Sequence, residues 1–218
     1  MGTSHNDSDV VHDLLERAGE SYAQQAQITL KDQPKPLFQL LVLSMLLSAR
    51  ISAETATSAA RELFHAGWRT PEAMAGAPRA EVIAALKRGH YSRYDESTAT
   101  RLREAAERVG DEYRGDLRKL AERSGHDESA TARLLEEFDG IGPVGAEIFM
   151  REVQDTWPWL RPHMDERVLR GADELHLPQD PSTLIELSGS REVAPLAAAL
   201  VRVTIDSELR EAVLAYSD

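Results

Sequence analysis

Apolar residues recur at three- and four-residue spacing along most of the chain, which is the pattern of amphipathic α-helices. Glycines, prolines and short polar runs separate these segments, and such runs break helices. The pattern therefore predicts an all-α protein with short connections between its helices. The predicted helices are 10–22, 53–64, 79–86, 97–109, 115–123, 129–138, 143–153, 165–175, 183–187 and 193–216.

The longest apolar stretch, 37–49, is interrupted by Gln39 and Ser44. It is shorter than the roughly 20 residues that a membrane-spanning helix needs, so it predicts a buried core helix and no membrane partner. The polar, acidic N-terminal segment contains no apolar run of the kind found in signal peptides. Cysteine is absent, which excludes thiolate chemistry and suits a reducing compartment. We therefore expect a cytoplasmic protein.

The net charge of −12 argues mildly against a nucleic-acid partner. The charge is unevenly distributed, however. Residues 37–171 hold 22 acidic and 19 basic residues, a balance of −3, and the remaining residues carry the other −9. The middle of the chain could therefore still present a basic face.

We expect two helical lobes. The segments 1–36 and 172–218 are predicted to pack together as a terminal lobe, and 37–171 is predicted to form a helical core. The core would contain a helical hairpin at 134–153 and an aspartate loop at 156–170.

The hairpin sequence, LLEEFDGIGPVGAEIFMRE, places Gly140 and Gly142 between two good helical patterns. Glycine permits a tight chain reversal, and Pro143 suits the first turn of the following helix. That first turn would present unpaired backbone N–H groups at its positive end, which is an anion-binding arrangement. The alternative is a tight corner between two helices that binds nothing.

This hairpin resembles the helix-hairpin-helix motif, which contacts DNA phosphates through such N–H groups without reading base sequence. Three further segments are similar to parts of endonuclease III-like proteins, in the same order: LLSARISAETATSAARELF, GHYSRYDESTATRLREAAERV and TWPWLRPHMDERVLR. Together the matches cover residues 37–175, and the chain resembles the helix-hairpin-helix-Gly/Pro-Asp superfamily of DNA glycosylases. The resemblance implies a two-lobed helical fold with a DNA-binding cleft between the lobes.

The resemblance also implies an enzyme that hydrolyses the N-glycosidic bond of a damaged or mismatched base in double-stranded DNA. Asp165 occupies the family's catalytic aspartate position, where a carboxylate stabilises the positive charge that develops on the sugar. An N-terminal helix cap is the structural alternative for this aspartate. A monomer is expected. The predicted DNA contacts are Arg50, Lys87, Arg88, Gly140, Ile141, Gly142, Val144 and Gly145.

Three of these predicted contacts lie outside the hairpin and rest on separate observations. Arg50 stands where relatives place a glutamine that fills the gap left by the flipped base; a solvated helix end is the alternative. Lys87 and Arg88 open a segment that mixes bases with aromatic residues, as nucleic-acid surfaces do.

The chain departs from the family at two functional positions. Val144 stands where bifunctional members carry the lysine that forms a Schiff base, so a glycosylase without lyase activity is expected. The four cysteines that hold the family's iron–sulfur cluster are absent, so no cluster is expected. In relatives, the backbone carbonyls that match Glu136, Phe138 and Ile141 hold a monovalent cation, which implies a Na⁺ or K⁺ site here. No other cofactor is expected.

Two other functions remain open at this stage. One is a helix-hairpin-helix protein that binds DNA without catalysis. The other is an all-α protein-interaction module, which the acidic charge balance favours mildly. No residue pattern identifies the base that would be removed.

Overall fold

The computed structural model describes residues 5–215, with side chains from residue 7 onward, and every regular element in that range is helical. The prediction of an all-α fold is confirmed. None of the helices within 5–215 has the length and apolar character needed to cross a membrane. In chain order the elements are α1 His5–Ala18, α2 Tyr22–Gln25, α3 Pro34–Leu47, α4 Ala53–His65, α5 Pro71–Ala75, α6 Arg79–Arg88, α7 Asp95–Tyr113, α8 Arg118–Arg123, α9 Glu128–Glu136, α10 Pro143–Val153, a 3₁₀ turn Pro158–Leu160, α11 Glu166–Glu174, α12 Pro181–Ser188, α13 Ala194–Val203 and α14 Ser207–Leu214.

The chain divides into two compact units. The terminal unit consists of Met1–Ser21 and Arg161–Asp218, and the central unit consists of Tyr22–Leu160. Two units built in this order were expected, but their boundaries differ from the predicted divisions after residues 36 and 171. Contacts between residues distant in sequence explain both shifts.

The first shift arises from a buried carboxylate. Glu152 on α10 accepts hydrogen bonds from the backbone N–H groups of Tyr22, at 3.1 Å, and Ala23, at 2.7 Å. These bonds satisfy two of the N–H groups that the first turn of α2 would otherwise leave unpaired. The indole N–H of Trp157 donates to Asp32 at 3.0 Å. The segment 22–36 is therefore fixed to the central unit.

The second shift arises from the packing of α11 on α13 in the terminal unit. Val168 and Ala172 of α11 are fully buried in the same apolar cluster as Leu200. A Cβ atom at Gly171 would lie 2.0 Å from the carbonyl oxygen of Leu200, so only glycine allows the two helices to approach this closely. The part of the aspartate loop from residue 161 onward, with Asp165, thus belongs to the terminal unit rather than to the predicted core.

Helix α3 forms the centre of the central unit, where it packs against α4 and α10. Its residues Pro36–Leu46 are all buried, which confirms the predicted core helix. The predicted helix 193–216 instead breaks between α13 and α14, because Asp206 caps α14 by accepting a hydrogen bond from the Leu209 N–H at 3.0 Å. Tyr216 lies outside the described residues.

Candidate nucleic-acid interface

The predicted hairpin is present as α9 and α10, joined by a short turn. Phe138 and Ile141 are buried and anchor the turn, and the Ile141 N–H donates to the Phe138 carbonyl at 2.9 Å. Gly140 has a φ of +94°, a conformation that other residues rarely adopt. The expected tight reversal therefore occurs at Gly140.

Gly142 does not take part in the tight reversal through a left-handed backbone. Its φ of −96° and ψ of −171° are extended values that any residue can adopt, so its backbone does not require glycine. A Cβ atom at this exposed position would meet no atom within 4 Å. Glycine at this position leaves the surface open to a molecule that approaches the backbone closely.

The first turn of α10 leaves two backbone amides without a partner. The N–H groups of Gly142 and Val144 have no acceptor among residues 5–215, and Pro143 has no N–H to offer. The N–H groups of Gly145 and Ala146 donate to the Gly142 carbonyl at 2.9 and 3.1 Å. Two unpaired amides therefore lie at the positive end of the helix dipole, on a segment whose Val144 side chain is 42% exposed.

Gly145 serves the packing of the hairpin rather than its exposed surface. It is buried, and a Cβ atom there would lie 2.3 Å from Oγ of Ser48, just beyond the end of α3. Helices α10 and α3 pack against each other, and the missing Cβ atom allows their backbones to approach closely here. Gly145 is thus a point of close approach between the two segments.

The surface beside the hairpin is a shallow depression of about 670 Å³. It is lined by the turn itself, by Ser48 and by Arg101. Acidic residues on the turn lower its affinity for phosphate, but two of them have an arginine partner. Asp139 pairs with Arg101 at 3.2 Å, and Glu137 pairs with Arg108.

Arg50 lies in a neighbouring pocket of about 340 Å³ that Gly140 and Arg101 also line. The structure therefore brings two predicted DNA contacts, Arg50 and Gly140, to the same pocket. Arg50 is exposed and has no ion-pair partner within 5–215. Tyr91 lines the pocket as well, and burial raises the pKa of its hydroxyl, which hydrogen-bonds to Thr98 at 3.1 Å.

Lys87 and Arg88 lie elsewhere on the central unit and line neither depression. Lys87 Nζ is 3.4 Å from Asp95 Oδ2, and Arg88 Nε is 2.7 Å from Glu62 Oε2. Their side chains are 59% and 54% exposed, so these ion pairs contribute little and a phosphate could compete for either cation. The two residues are nevertheless less available to an anion than Arg50.

The carbonyls expected to bind a monovalent cation occupy the turn. The Phe138 carbonyl accepts a hydrogen bond from the Ile141 N–H. The carbonyl of Glu137, between Glu136 and Phe138, accepts a hydrogen bond from Arg108. A cation at the carbonyls of Glu136, Phe138 and Ile141 stays a prediction. No group of three or more histidine, aspartate or glutamate side chains in the described part of the chain could hold a metal ion, and the chain has no cysteine.

Asp165 belongs to the terminal unit, where it is the N-cap of α11. Its Oδ1 accepts a hydrogen bond from the Val168 N–H at 3.0 Å, and its side chain is half-buried. The structural role that the sequence left open for this residue is therefore present. Capping leaves the negative charge of the carboxylate in place, so it is compatible with a second, chemical role.

One residue of the site could not be found in the sequence. Arg101 contributes to both depressions, although it lies in the middle of α7 without any motif around it. Trp157 in the same unit is a buried core residue, and its ring stacks on that of Trp159 with the centroids 5.5 Å apart.

These features define an all-α protein with an exposed helical hairpin. The first turn of its second helix, α10, has two unpaired backbone amides. The chain matches no protein-family model and no curated protein. Among solved structures it is similar to one described as "Structure of a Trapped Endonuclease III-DNA Covalent Intermediate: Estranged-Adenine Complex". The identity is 16%, the match covers 86% of this chain and 83% of that chain, and the TM-score is 0.47. Likeness at this level leaves the function to be argued from the residues of the chain itself.

Proposed function

We propose that the protein binds double-stranded DNA and hydrolyses the N-glycosidic bond of a damaged or mismatched base, without a lyase step. The observation that carries the DNA contact is the pair of unpaired amides at Gly142 and Val144. Neither its backbone conformation nor internal packing requires glycine at position 142.

The hairpin would contact the phosphate backbone. Two amides at the positive end of a helix dipole suit a phosphate oxygen, and such contacts position a protein on DNA irrespective of sequence. The exposed Arg50 would add a cation next to the hairpin, through a counterion-releasing phosphate contact. A Na⁺ or K⁺ ion at the turn carbonyls is part of the proposal, as are a monomeric state and a cytoplasmic location.

The chemistry requires a base extruded from the duplex and a group that stabilises the oxocarbenium-like sugar. We assign this role to the carboxylate of Asp165. Water would attack the anomeric carbon as the bond to the base breaks, and the proton released by the water would be taken up by the departing base. Val144 has no nucleophilic atom, which supports water rather than an amine as the attacking group.

A DNA-binding protein without catalysis is the second candidate. The hydrogen bond between Asp165 and the Val168 N–H favours it, because helix capping by itself accounts for an aspartate at this position. In that case the hairpin would bind DNA and no base would be released.

One experiment separates these functions. A panel of duplexes, each with a single lesion or mismatch, is incubated with the wild-type protein and with Asp165→Asn, and base release and binding are measured in parallel. Release by the wild type alone supports the glycosylase. Binding by both proteins without release supports the second candidate, and absence of binding contradicts both.

A further inference from the structure

A second pocket, of about 390 Å³, lies in the central unit and shares no residue with the hairpin surface. It is formed by the segment around α2, the start of α3 and the end of α4. Its charged lining residues are all basic, in a chain whose net charge is −12. They are Lys31, Lys35, Arg61 and Arg69, and His65 lines the pocket beside them.

Backbone carbonyls position the two arginines. Arg61 donates to the Gln25 carbonyl at 3.3 Å, and Arg69 Nε donates to the Phe64 carbonyl at 2.7 Å. Neither guanidinium has an acidic partner within residues 5–215, so no neighbouring carboxylate offsets either charge.

The two lysines are also without an acidic partner in that range. Asp32 lies between Lys31 and Lys35 in the chain, but its carboxylate accepts the Trp157 indole N–H and does not line the pocket. Helix α3 begins beside these lysines, and no side chain caps it, so the positive end of its dipole adds to the potential.

Gln39 gives the independent sign of a ligand. The residue is only 7% exposed, and its side chain lines the pocket and makes no hydrogen bond with any described residue. Because no described residue bonds to it, this amide is available to hydrogen-bond with whatever occupies the pocket. The amide of Gln39 can donate two hydrogen bonds and accept others.

We propose that this pocket binds a phosphate group, carried by a small molecule or by the 5′ end of a nucleic-acid strand. Four cations without an acid favour a multiply charged anion, and phosphate oxygens accept hydrogen bonds from arginine, lysine and the Gln39 amide. The volume lies at the lower end of the range for ligand pockets, which suits a small group. The site does not depend on the glycosylase proposal.

Calorimetric titration tests the site at constant ionic strength, with inorganic phosphate, a nucleoside monophosphate, and one oligonucleotide carrying either a 5′-phosphate or a 5′-hydroxyl. We expect saturable binding of at least one phosphate ligand. The double variant Lys31→Gln/Lys35→Gln should weaken that binding on the order of tenfold or more, because two close charges are removed. The matched control, Arg114→Gln/Lys119→Gln, removes two charges that lie outside the pocket and should have little effect.

Gln39→Leu preserves the volume of the side chain and removes its hydrogen bonds. We expect it to weaken binding severalfold and to leave the melting temperature unchanged or higher. If this variant fails to fold, the Lys31→Gln/Lys35→Gln variant still tests the proposal. Both lysines are exposed, so we expect their replacement to leave the fold intact.

The arms of the titration distinguish the source of the phosphate. Binding of free phosphate and the monophosphate indicates a small ligand, whereas binding of the phosphorylated oligonucleotide alone indicates a strand end. Binding of no phosphate ligand, or equal loss in the pocket and control variants, would overturn the proposal.

Discussion

Oδ1 of Asp165 accepts a hydrogen bond from the backbone N–H of Val168 at 3.0 Å, so the proposed catalytic carboxylate is also the N-cap of α11. Asp165→Asn separates the two roles, because asparagine caps helices as well as aspartate does but carries no charge. We expect unchanged thermal stability and DNA binding. Base release under single-turnover conditions should fall on the order of a hundredfold or more.

Asp180→Asn is the matched control for this substitution. Asp180 caps α12 in the same unit, where its carboxylate accepts the Thr183 N–H at 2.8 Å. The control should retain full base release. Unimpaired release by Asp165→Asn would instead leave Asp165 with the capping role alone.

Gly142→Leu should weaken binding to any duplex without lowering stability. The backbone conformation is accessible to leucine and no atom lies within 4 Å of the new Cβ, so the fold tolerates the change. The side chain would hold phosphates away from the free amides, and we expect a loss on the order of tenfold in affinity, about 1.4 kcal/mol. Fluorescence anisotropy with an undamaged duplex measures the affinity of the variant and of the wild type. Gly110→Leu adds the same side chain at another open position and should bind like the wild type.

Gly145→Ala should destabilise the protein by about 1–3 kcal/mol, because the new methyl group would collide with Oγ of Ser48 at 2.3 Å. Removing that oxygen in Ser48→Ala/Gly145→Ala should restore part of the loss. Chemical denaturation of both single variants and the double variant gives the coupling energy. Additive effects would show that the two residues do not contact each other as described.

Arg50→Ala should reduce the salt dependence of DNA binding, because Arg50 is exposed and has no ion-pair partner within residues 5–215. Loss of one phosphate contact lowers the slope of log K against log salt by about 0.9. Arg114→Ala provides the comparison. Arg114 is exposed and lines neither the depression beside the hairpin nor the pocket that contains Arg50. Equal slopes for wild type and Arg50→Ala would remove Arg50 from the interface.

The wild-type protein should leave an intact abasic site, and borohydride should trap no protein–DNA adduct, because Val144 cannot form a Schiff base. Val144→Lys introduces an amine at an exposed position of the first turn of α10. We expect this variant to gain a trapped adduct on denaturing gels. Efficient trapping by the wild type would reveal another amine that attacks the sugar.

The sequence by itself determined the all-α class and most helix positions, since apolar spacing and helix breakers act within a few residues of one another. It also located the hairpin, because the left-handed backbone of Gly140 and the restart at Pro143 are local properties. The core helix α3 followed from its length and apolarity. Asp165 could be placed at a helix start for the same reason.

Only the tertiary structure decided which of these residues share a surface. Arg50, Arg101 and Gly140 come from three separate segments and meet in one pocket, and no local pattern records that contact. The close approach of Gly145 to Ser48 revealed a packing role for a residue that is also a predicted DNA contact. Helix α2 belongs to the central unit because Glu152, about 130 residues further along the chain, accepts hydrogen bonds from its first turn. Packing and long-range hydrogen bonds depend on where distant segments meet, and that is fixed by the whole fold rather than by neighbouring residues.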